Sequence, residues 1–322
     1  MRPGIPIALL ALAAALMTGC GGDDSPATGR DVEPVALSLD FTPNAVHAPI
    51  YAATRDGRDE REGVDLQIRK PGPGPDALKL ITAGKVDLGV LDIHDLAIAR
   101  EQGADLVAIG ALVGKPLAAL IGQPGLHRPR DLEGKTVGVS GLPSDPAFLR
   151  AIVEHDGGDL DKVKQVTIGF AAVARLLSRR VDAVPAFWNA EGVALKRRGR
   201  DVAEFRVDDY GAPPYPEVVL VTSRRTLERE RDRLRRALKA IAAGMQATLD
   251  DPESSAREIA AAAESNDVEL TRAQLDAVAP VFARGLKFDR SVLERWADFD
   301  ARIGIVEKRP DVARAFDLEL AN

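Results

Sequence analysis

From residue 35 onward, short apolar runs alternate with stretches of helical periodicity, and that alternation stops abruptly after Thr222. The runs at 35–39, 64–68, 88–91, 106–112, 118–121, 136–139, 166–168, 182–186 and 218–222 have the length and β-branched content of strands. Helical patterns at 75–83, 144–155, 171–178 and 191–197 fill most of the gaps. Strands alternating with helices of this length predict βαβ units and an α/β fold with parallel or mixed sheets. Beyond residue 225 the pattern predicts helices only, at 226–249, 254–265, 271–282, 291–303 and 310–316. Asp251 and Asp289 stand where helix-capping side chains are expected. The Arg/Glu-rich run 224–236 reads as a solvated helix face.

The first strand leads into LDFTPNAVHAPIYAA, Leu39 to Ala53. This turn crowds Asp40, Phe41, Asn44, His47 and Tyr51 together, and in open α/β sheets such turns hold ligands. One acid among rings and neutral polar groups suits a flat, nitrogen-rich small molecule. Asp40 can accept from a ligand amine or bond its own turn as an Asx residue. Asn44 fits a helix N-cap. His47 and Tyr51 stand four residues apart and are expected on one helix face, looking into a cleft. Three further strand-to-helix turns supply candidates. Asp92 and His94 lie in LDIHD, where they can line a wall, and Ser140 and Ser144 lie in GVSGLPSD, whose amides could form an acceptor or anion site. FWNAEG carries Phe187, Trp188 and Glu191, of which Trp188 is the expected ring contact and Glu191 the expected acceptor for a ligand amine. The alternative role for Glu191 is electrostatic support of a helix N-terminus. Tyr215, in DYGAPPYP, precedes the last strand and could close over a ligand. The loop PGPGP, 71–75, is either turn punctuation or a cleft-lining loop. No paired histidine, cysteine or carboxylate stands at ligand spacing in sequence, so no metal is expected, and no cofactor.

The amino-terminal residues carry a different signal. An apolar run from Ile5 to Met17 ends in MTGC, which resembles the lipobox of bacterial lipoproteins. That resemblance implies a signal peptide over 1–19, cleavage before Cys20, diacylation of its sulfur, and a Gly/Asp/Ser/Pro tether over 20–33. Cys20 is the only cysteine of the 322 residues, so the mature fold would rest on its core alone. The net charge of −6 argues against a nucleic-acid partner.

Taken in order, DFTPNAVHAPIYAA, the blocks AGKVDLGV and DLEGKTVG, and FWNAEG resemble the solute-binding proteins of ABC importers, in the branch that takes pyrimidine precursors of thiamine. Eukaryotic hydroxymethylpyrimidine phosphate synthases share that fold. AGKVDLGV and DLEGKTVG are widespread in the superfamily, whereas DFTPN-x-x-H and FWN-x-E point to the pyrimidine branch. The resemblance implies a two-lobed periplasmic-binding-protein fold, with crossing strands near 117–122 and 218–222. Lobe I would be 34–122 plus the helical part 218–322, and lobe II 123–217. It implies a monomer that takes an aminopyrimidine into the cleft and delivers it to a permease and its ATPase. The protein would be anchored to the membrane through Cys20 and face the periplasm or cell exterior. Other flat or anionic ligands of relatives are riboflavin, sulfonates and nitrate. An enzyme role is the more distant alternative, because the synthases carry a cysteine-rich motif that this chain lacks.

Overall fold

The computed structural model describes residues 32–72 and 76–321. The leader, Cys20, the tether as far as residue 31 and the last three residues of the PGPGP loop lie outside the described residues, and Glu33, expected in the tether, already belongs to the first strand. Ten strands form two five-stranded mixed sheets. The strands are β1 (Glu33–Ser38), β2 (Val64–Arg69), β3 (Leu88–Asp92), β4 (Leu106–Val113), β5 (Ala118–Gly122), β6 (Thr136–Val139), β7 (Lys164–Thr167), β8 (Ala183–Phe187), β9 (Ala203–Arg206) and β10 (Val218–Ser223).

The first sheet has the order β2-β1-β3-β10-β4 and the second β7-β6-β8-β5-β9. β1 runs parallel to β2 and to β3, with Glu33 opposite Val64 and Leu37 opposite Leu88. β10 is the exception in this sheet: it enters antiparallel between β3 and β4. The second sheet repeats the plan, with β6 parallel to β7 and β8, and β5 antiparallel to β8 and β9. Each sheet therefore has one inner strand that arrives or departs as the chain changes sheets. β10 is apolar and buried along nearly its whole length because both faces are covered, as inner strands of such sheets require.

Two expectations shift. The run at 118–122 is not the end of the first lobe but an inner strand of the second sheet, so the first crossing falls on residues 114–117. The second crossing falls on 211–217, ahead of β10. β9, AEFR, is an edge strand with two charged residues in four and no apolar run to announce it.

The C-terminal helices build onto the first sheet. Helix Arg231–Asp250 crosses helix Ala48–Thr54 so closely that a Cβ on Gly244 would lie 2.1 Å from the Pro49 carbonyl oxygen. The expected single helix at 226–249 is two, Arg224–Arg229 and Arg231–Asp250, broken at Glu230. Its arginines do more than face solvent. Arg233 donates to the Pro34 carbonyl and pairs with Asp87 at 2.9 Å, and Arg236 donates to the Gly63 carbonyl, pinning the helix to the first sheet. Asp251 and Asp289 cap the following helices through Ser254 N–H and through Ser291 and Val292 N–H. Among the described residues past 225, only single bridges, Phe282 to Val113 and Phe316 to Ala108, extend the sheet.

Candidate functional site

A cavity of about 310 Å³ lies between the C-terminal ends of strands from both sheets. The first sheet contributes Asp40, Phe41, Asn44, His47, Asp92, His94 and Asp95, and the second crossing adds Glu217. The second sheet contributes Ser140, Ser144, Asp145, Phe148, Phe170, Phe187 and Glu191. Four phenylalanines among carboxylates, histidines and serines make a pocket that is apolar with a few placed acceptors, the usual composition of a small-molecule site.

The wall after β1 is held by its own side chains. Asn44 caps the short 3-10 turn Ala45–His47, its Oδ1 accepting from Val46 N–H at 2.9 Å. The Asn44 N–H in turn donates to His47 Nδ1 at 3.2 Å. Nδ1 therefore accepts, and Nε2–H donates to Asp40 Oδ1 at 2.8 Å. Asp40 and His47 thus form one rigid unit, with the carboxylate at the cavity and the ring buried behind it. Tyr51 does not join them: it is absent from the cavity wall, half-buried, with its phenol pushed up to about 12 by burial and by Glu258. The reason is local. His47 belongs to the 3-10 turn and Tyr51 to the α-helix that follows, so the four-residue spacing no longer places them on one face.

In the second sheet, burial raises the Glu191 carboxyl above its ordinary range, and its Oε2 accepts from Phe187 N–H at 3.1 Å. Both residues line the cavity, on the single π-helical turn Trp188–Gly192 and the strand end before it. That turn directs Trp188 away. Its Nε1–H donates to the Pro116 carbonyl at 3.2 Å, and the Arg206 guanidinium lies 4.3 Å from its ring centre. Phe187, not Trp188, is the ring on the cavity wall. The amides of GVSGLPSD are also spoken for. Asp145 Oδ2 accepts from Ser140 Oγ–H, Gly141 N–H and Leu142 N–H, so a carboxylate of the chain itself fills the expected anion site. Ser140 and Ser144 line the cavity all the same. Ser144 N–H donates to Asp95 Oδ1 at 3.1 Å, a bond from the second sheet's helix to the first sheet's.

At the first-sheet side of the cavity, and running back from it, lies a buried polar cluster built from three parts of the chain. Asp92 ends β3 and caps helix Ile93–Glu101 through His94 N–H at 2.7 Å. His94 Nδ1 meets Asp300 Oδ1 at 2.8 Å. Glu217 is fully buried, and its Oε2 accepts from Leu117 N–H and Ala118 N–H, tying the two crossings together. Burial opposes charge on His94, but Asp300, Asp92 and Glu217 outweigh it and hold the imidazole up at about 10. Burial, then the Glu217 charge, pushes Asp92 well above the carboxylate range. Burial and the Asp92 charge push Asp95 up to about 8. Tyr215 sits behind this cluster rather than over the cavity: its ring meets His94 edge-on at 4.7 Å and runs near-parallel to Phe299. Asp92, His94 and Glu217 offer potential ligand atoms within 4.8 Å of one another, a convergence invisible in their sequence spacing. His94 Nδ1 is committed to Asp300, which leaves the ring's other nitrogen and two carboxylates for any such use. Glu217 was legible only as an acid abutting the apolar run 218–222.

Two α/β lobes with a cavity between their strand ends define the fold of the periplasmic binding proteins. The alkanesulfonate-binding protein SsuA of Xanthomonas axonopodis pv. citri, solved bound to MOPS, has this fold, with a TM-score of 0.71 over 88% of this chain and 98% of its own, at 17% identity. Within that fold, the chain belongs to the NMT1/THI5-like family, whose model matches residues 44–255. It is 31% identical over 252 residues to the formylaminopyrimidine-binding protein of Halalkalibacterium halodurans, covering 77% of this chain and 74% of the relative. It is 25% identical over 238 residues to a 4-amino-5-hydroxymethyl-2-methylpyrimidine phosphate synthase of Saccharomyces cerevisiae, covering 70% and 69%.

Proposed function

We propose that the chain is the solute-binding component of an ABC importer and captures a thiamine pyrimidine precursor, hydroxymethylpyrimidine or formylaminopyrimidine. The observation that carries this reading is Glu191, a carboxylate set into a cavity wall between phenylalanines from both sheets. A carboxylate there accepts from the exocyclic amine and, when ionised, from a protonated ring nitrogen, in short directional bonds. Phe41, Phe170 and Phe187 supply faces and edges for the ring. The similarity to a formylaminopyrimidine-binding protein supports the same ligand class.

Binding without chemistry is the better reading than synthesis. Both nitrogens of His47 are engaged within its own wall, and the chain's sole cysteine is Cys20. A sulfonate or nitrate is disfavoured because the helix N-terminal amides that suit an anion are filled by Asp145. The two lobes would open and close by hinge motion about residues 114–117 and 211–217, and the closed form would dock on the permease. In this reading Cys20 carries the lipid anchor, and the monomeric binding lobes stand outside the cytoplasmic membrane.

Calorimetry with hydroxymethylpyrimidine, formylaminopyrimidine, thiamine and riboflavin tests the assignment. Saturable binding of one of the first two supports it, and binding of thiamine or riboflavin alone overturns it. Glu191→Gln should weaken pyrimidine binding by at least ~1.5 kcal/mol, the low end for a hydrogen bond to a charged group. Unchanged affinity removes Glu191 from the site.

A further inference from the structure

We propose that Gln274 is a positioning residue for Glu191: reaching from a C-terminal helix of the first lobe, it fixes the peptide unit that carries Glu191 in the second. This deepens the pyrimidine reading and rests on it, because Glu191 is the acceptor that would read the ligand's amine.

Glu191 stands on the single π-helical turn Trp188–Gly192, a rare form found mostly at functional sites. The turn is held from outside at both ends. At its start, Trp188 N–H donates to the Leu117 carbonyl at 3.0 Å and Trp188 Nε1–H to the Pro116 carbonyl. Asn189 adds nothing: its side chain is fully buried and makes no hydrogen bond among the described residues. The Glu191 end is held by Gln274, whose Nε2–H donates to the Ala190 carbonyl at 3.0 Å. Val193 N–H reaches the same carbonyl, so both its lone pairs are used. The Ala190 carbonyl and the Glu191 N–H are the two ends of one peptide plane. A donor on the carbonyl therefore sets the orientation of the Glu191 Cα. It also polarises the peptide, so that the N–H at the other end becomes a stronger donor. Burial holds the Glu191 carboxyl up, and that N–H, with Phe187 N–H, opposes it by favouring the ionised form.

The helix that carries Gln274, Val268–Val278, touches both walls. It packs on the turn 188–192 and helix Val193–Arg197 of the second lobe, and on the 3-10 turn Ala45–His47 that holds Asp40 in the first. One helix thus bears on the spacing of Asp40 and Glu191, acceptors on opposite walls of the cavity. Its other printed link to the second lobe, Glu269 to Arg197 at 3.0 Å, is an exposed ion pair and holds little. The part-buried Gln274 bond is the specific one. Gln274 is absent from the cavity wall, so it acts through Glu191 and not on the ligand.

The test is calorimetry with 4-amino-5-hydroxymethyl-2-methylpyrimidine and its 4-oxo counterpart, which presents an acceptor where the first presents the amine. Gln274→Met keeps the bulk and removes the donor, and Gln274→Leu is a second uncharged variant without it. Thermal melts establish that each is folded. Each should cut the amino-to-oxo affinity ratio at least about threefold, and leave it unchanged where Glu191 is already replaced by Gln. An unchanged ratio overturns the proposal. So does an equal fall in the Glu191→Gln background, which would make Gln274 a support of the fold alone. A second readout needs no ligand. In protein labelled with ¹³C at the glutamate carboxyls, the resonance lost in Glu191→Gln should titrate at higher pH in Gln274→Met and Gln274→Leu than in the parent, by about 0.3 of a unit or more. The sign follows from weaker donation by the Glu191 N–H to the ionised carboxylate. An unchanged midpoint overturns the positioning role. If neither pyrimidine binds, or the parent does not distinguish them, the pyrimidine reading of Glu191 fails by itself and the titration alone judges Gln274.

Discussion

Phe41 and Phe170 meet with ring centroids 4.1 Å apart and planes tilted by 48°. One follows β1 in the first sheet and the other follows β7 in the second, so this contact joins the two walls of the cavity. With the Asp95–Ser144 bond it is a cross-cleft contact that hinge opening must break. Aromatic pairs contribute roughly 0.5–1.5 kcal/mol beyond area burial. Phe41→Ala and Phe170→Ala should each weaken pyrimidine binding by about that much, chiefly through faster dissociation. Stopped-flow measurement of the double-mutant cycle checks it. Coupling below about 0.3 kcal/mol, the level expected of independent sites, would falsify a closing role for the pair.

The architecture was legible because inner strands buried on both faces leave apolar runs, and with the shorter runs of the edge strands β2 and β7 nine of the ten described strands are marked in the sequence. β9 escaped because it is a four-residue edge strand with two charged residues and only Phe205 buried, which leaves no apolar run. Much of the candidate cavity was legible at strand ends: Asp40, Phe41, Asn44, His47, Asp92, His94, Ser140, Ser144 and Glu191 line it, while Phe170, after β7, carried no such signal. The signal failed where local helix geometry departs from the α form. The 3-10 turn at His47 turned Tyr51 away, and the π turn at Trp188 exchanged the roles of Phe187 and Trp188. It failed also where long-range contacts decide, because nothing in the sequence brings Glu217 and Asp300 to Asp92 and His94.

Trp188 is a strut in the crossing rather than a platform for the ligand. It donates to Pro116, in the segment where the chain changes sheets, and stacks under Arg206. Trp188→Phe keeps a ring, removes the hydrogen bond and weakens the cation–π contact. It should cost about 1–2 kcal/mol of stability and leave pyrimidine affinity within about twofold. Phe187→Ala should do the reverse and weaken binding by roughly 1–3 kcal/mol, the range for an aromatic face on a base. Urea titrations beside calorimetry separate the two. A larger affinity loss for Trp188→Phe than for Phe187→Ala would return Trp188 to the binding surface.

Asp95 makes stability fall as pH rises. Its carboxyl ionises near 4 in the unfolded chain and at about 8 in the fold, pushed up by burial and then by the Asp92 charge. Between those values the native state keeps a proton that the unfolded state has lost, so stability declines through that window. His94, held at about 10, has the same sign but acts only above the unfolded histidine value, roughly 6.5. The decline between pH 4.5 and 6.5 therefore belongs to buried carboxyls, Asp95 and Asp92 first. Asp95→Asn keeps an acceptor for Ser144 N–H and removes the ionisation. It should flatten part of that slope and gain at least about 1 kcal/mol at pH 8, roughly 2 °C in Tm. Tm profiles of the two proteins across pH 4.5–8 check it, and parallel profiles would place the proton elsewhere.

Gly244 sets how closely helix Arg231–Asp250 approaches helix Ala48–Thr54. An added Cβ would stand 2.1 Å from the Pro49 carbonyl oxygen, 2.6 Å from Ala53 N and 2.9 Å from Ala53 Cα. All three are backbone atoms, so no side chain can swing aside and the helices must part. Alanine favours a helix interior over glycine by about 1 kcal/mol. Overpacking against an unyielding wall costs about 1–3 kcal/mol, and occasionally more. The clash should win, because the gap falls short of an ordinary carbon–oxygen contact by more than an ångström. Gly244→Ala should therefore lower the urea midpoint with the slope unchanged. Helix Ala48–Thr54 also continues directly from the turn that holds Asp40 and His47 at the cavity, so the displacement should reach the site. Pyrimidine affinity should drop severalfold at a temperature where the variant is still fully folded. A variant as stable as the parent, with full affinity, would mean that the helices tolerate the wider spacing and that this contact does not set the position of the wall.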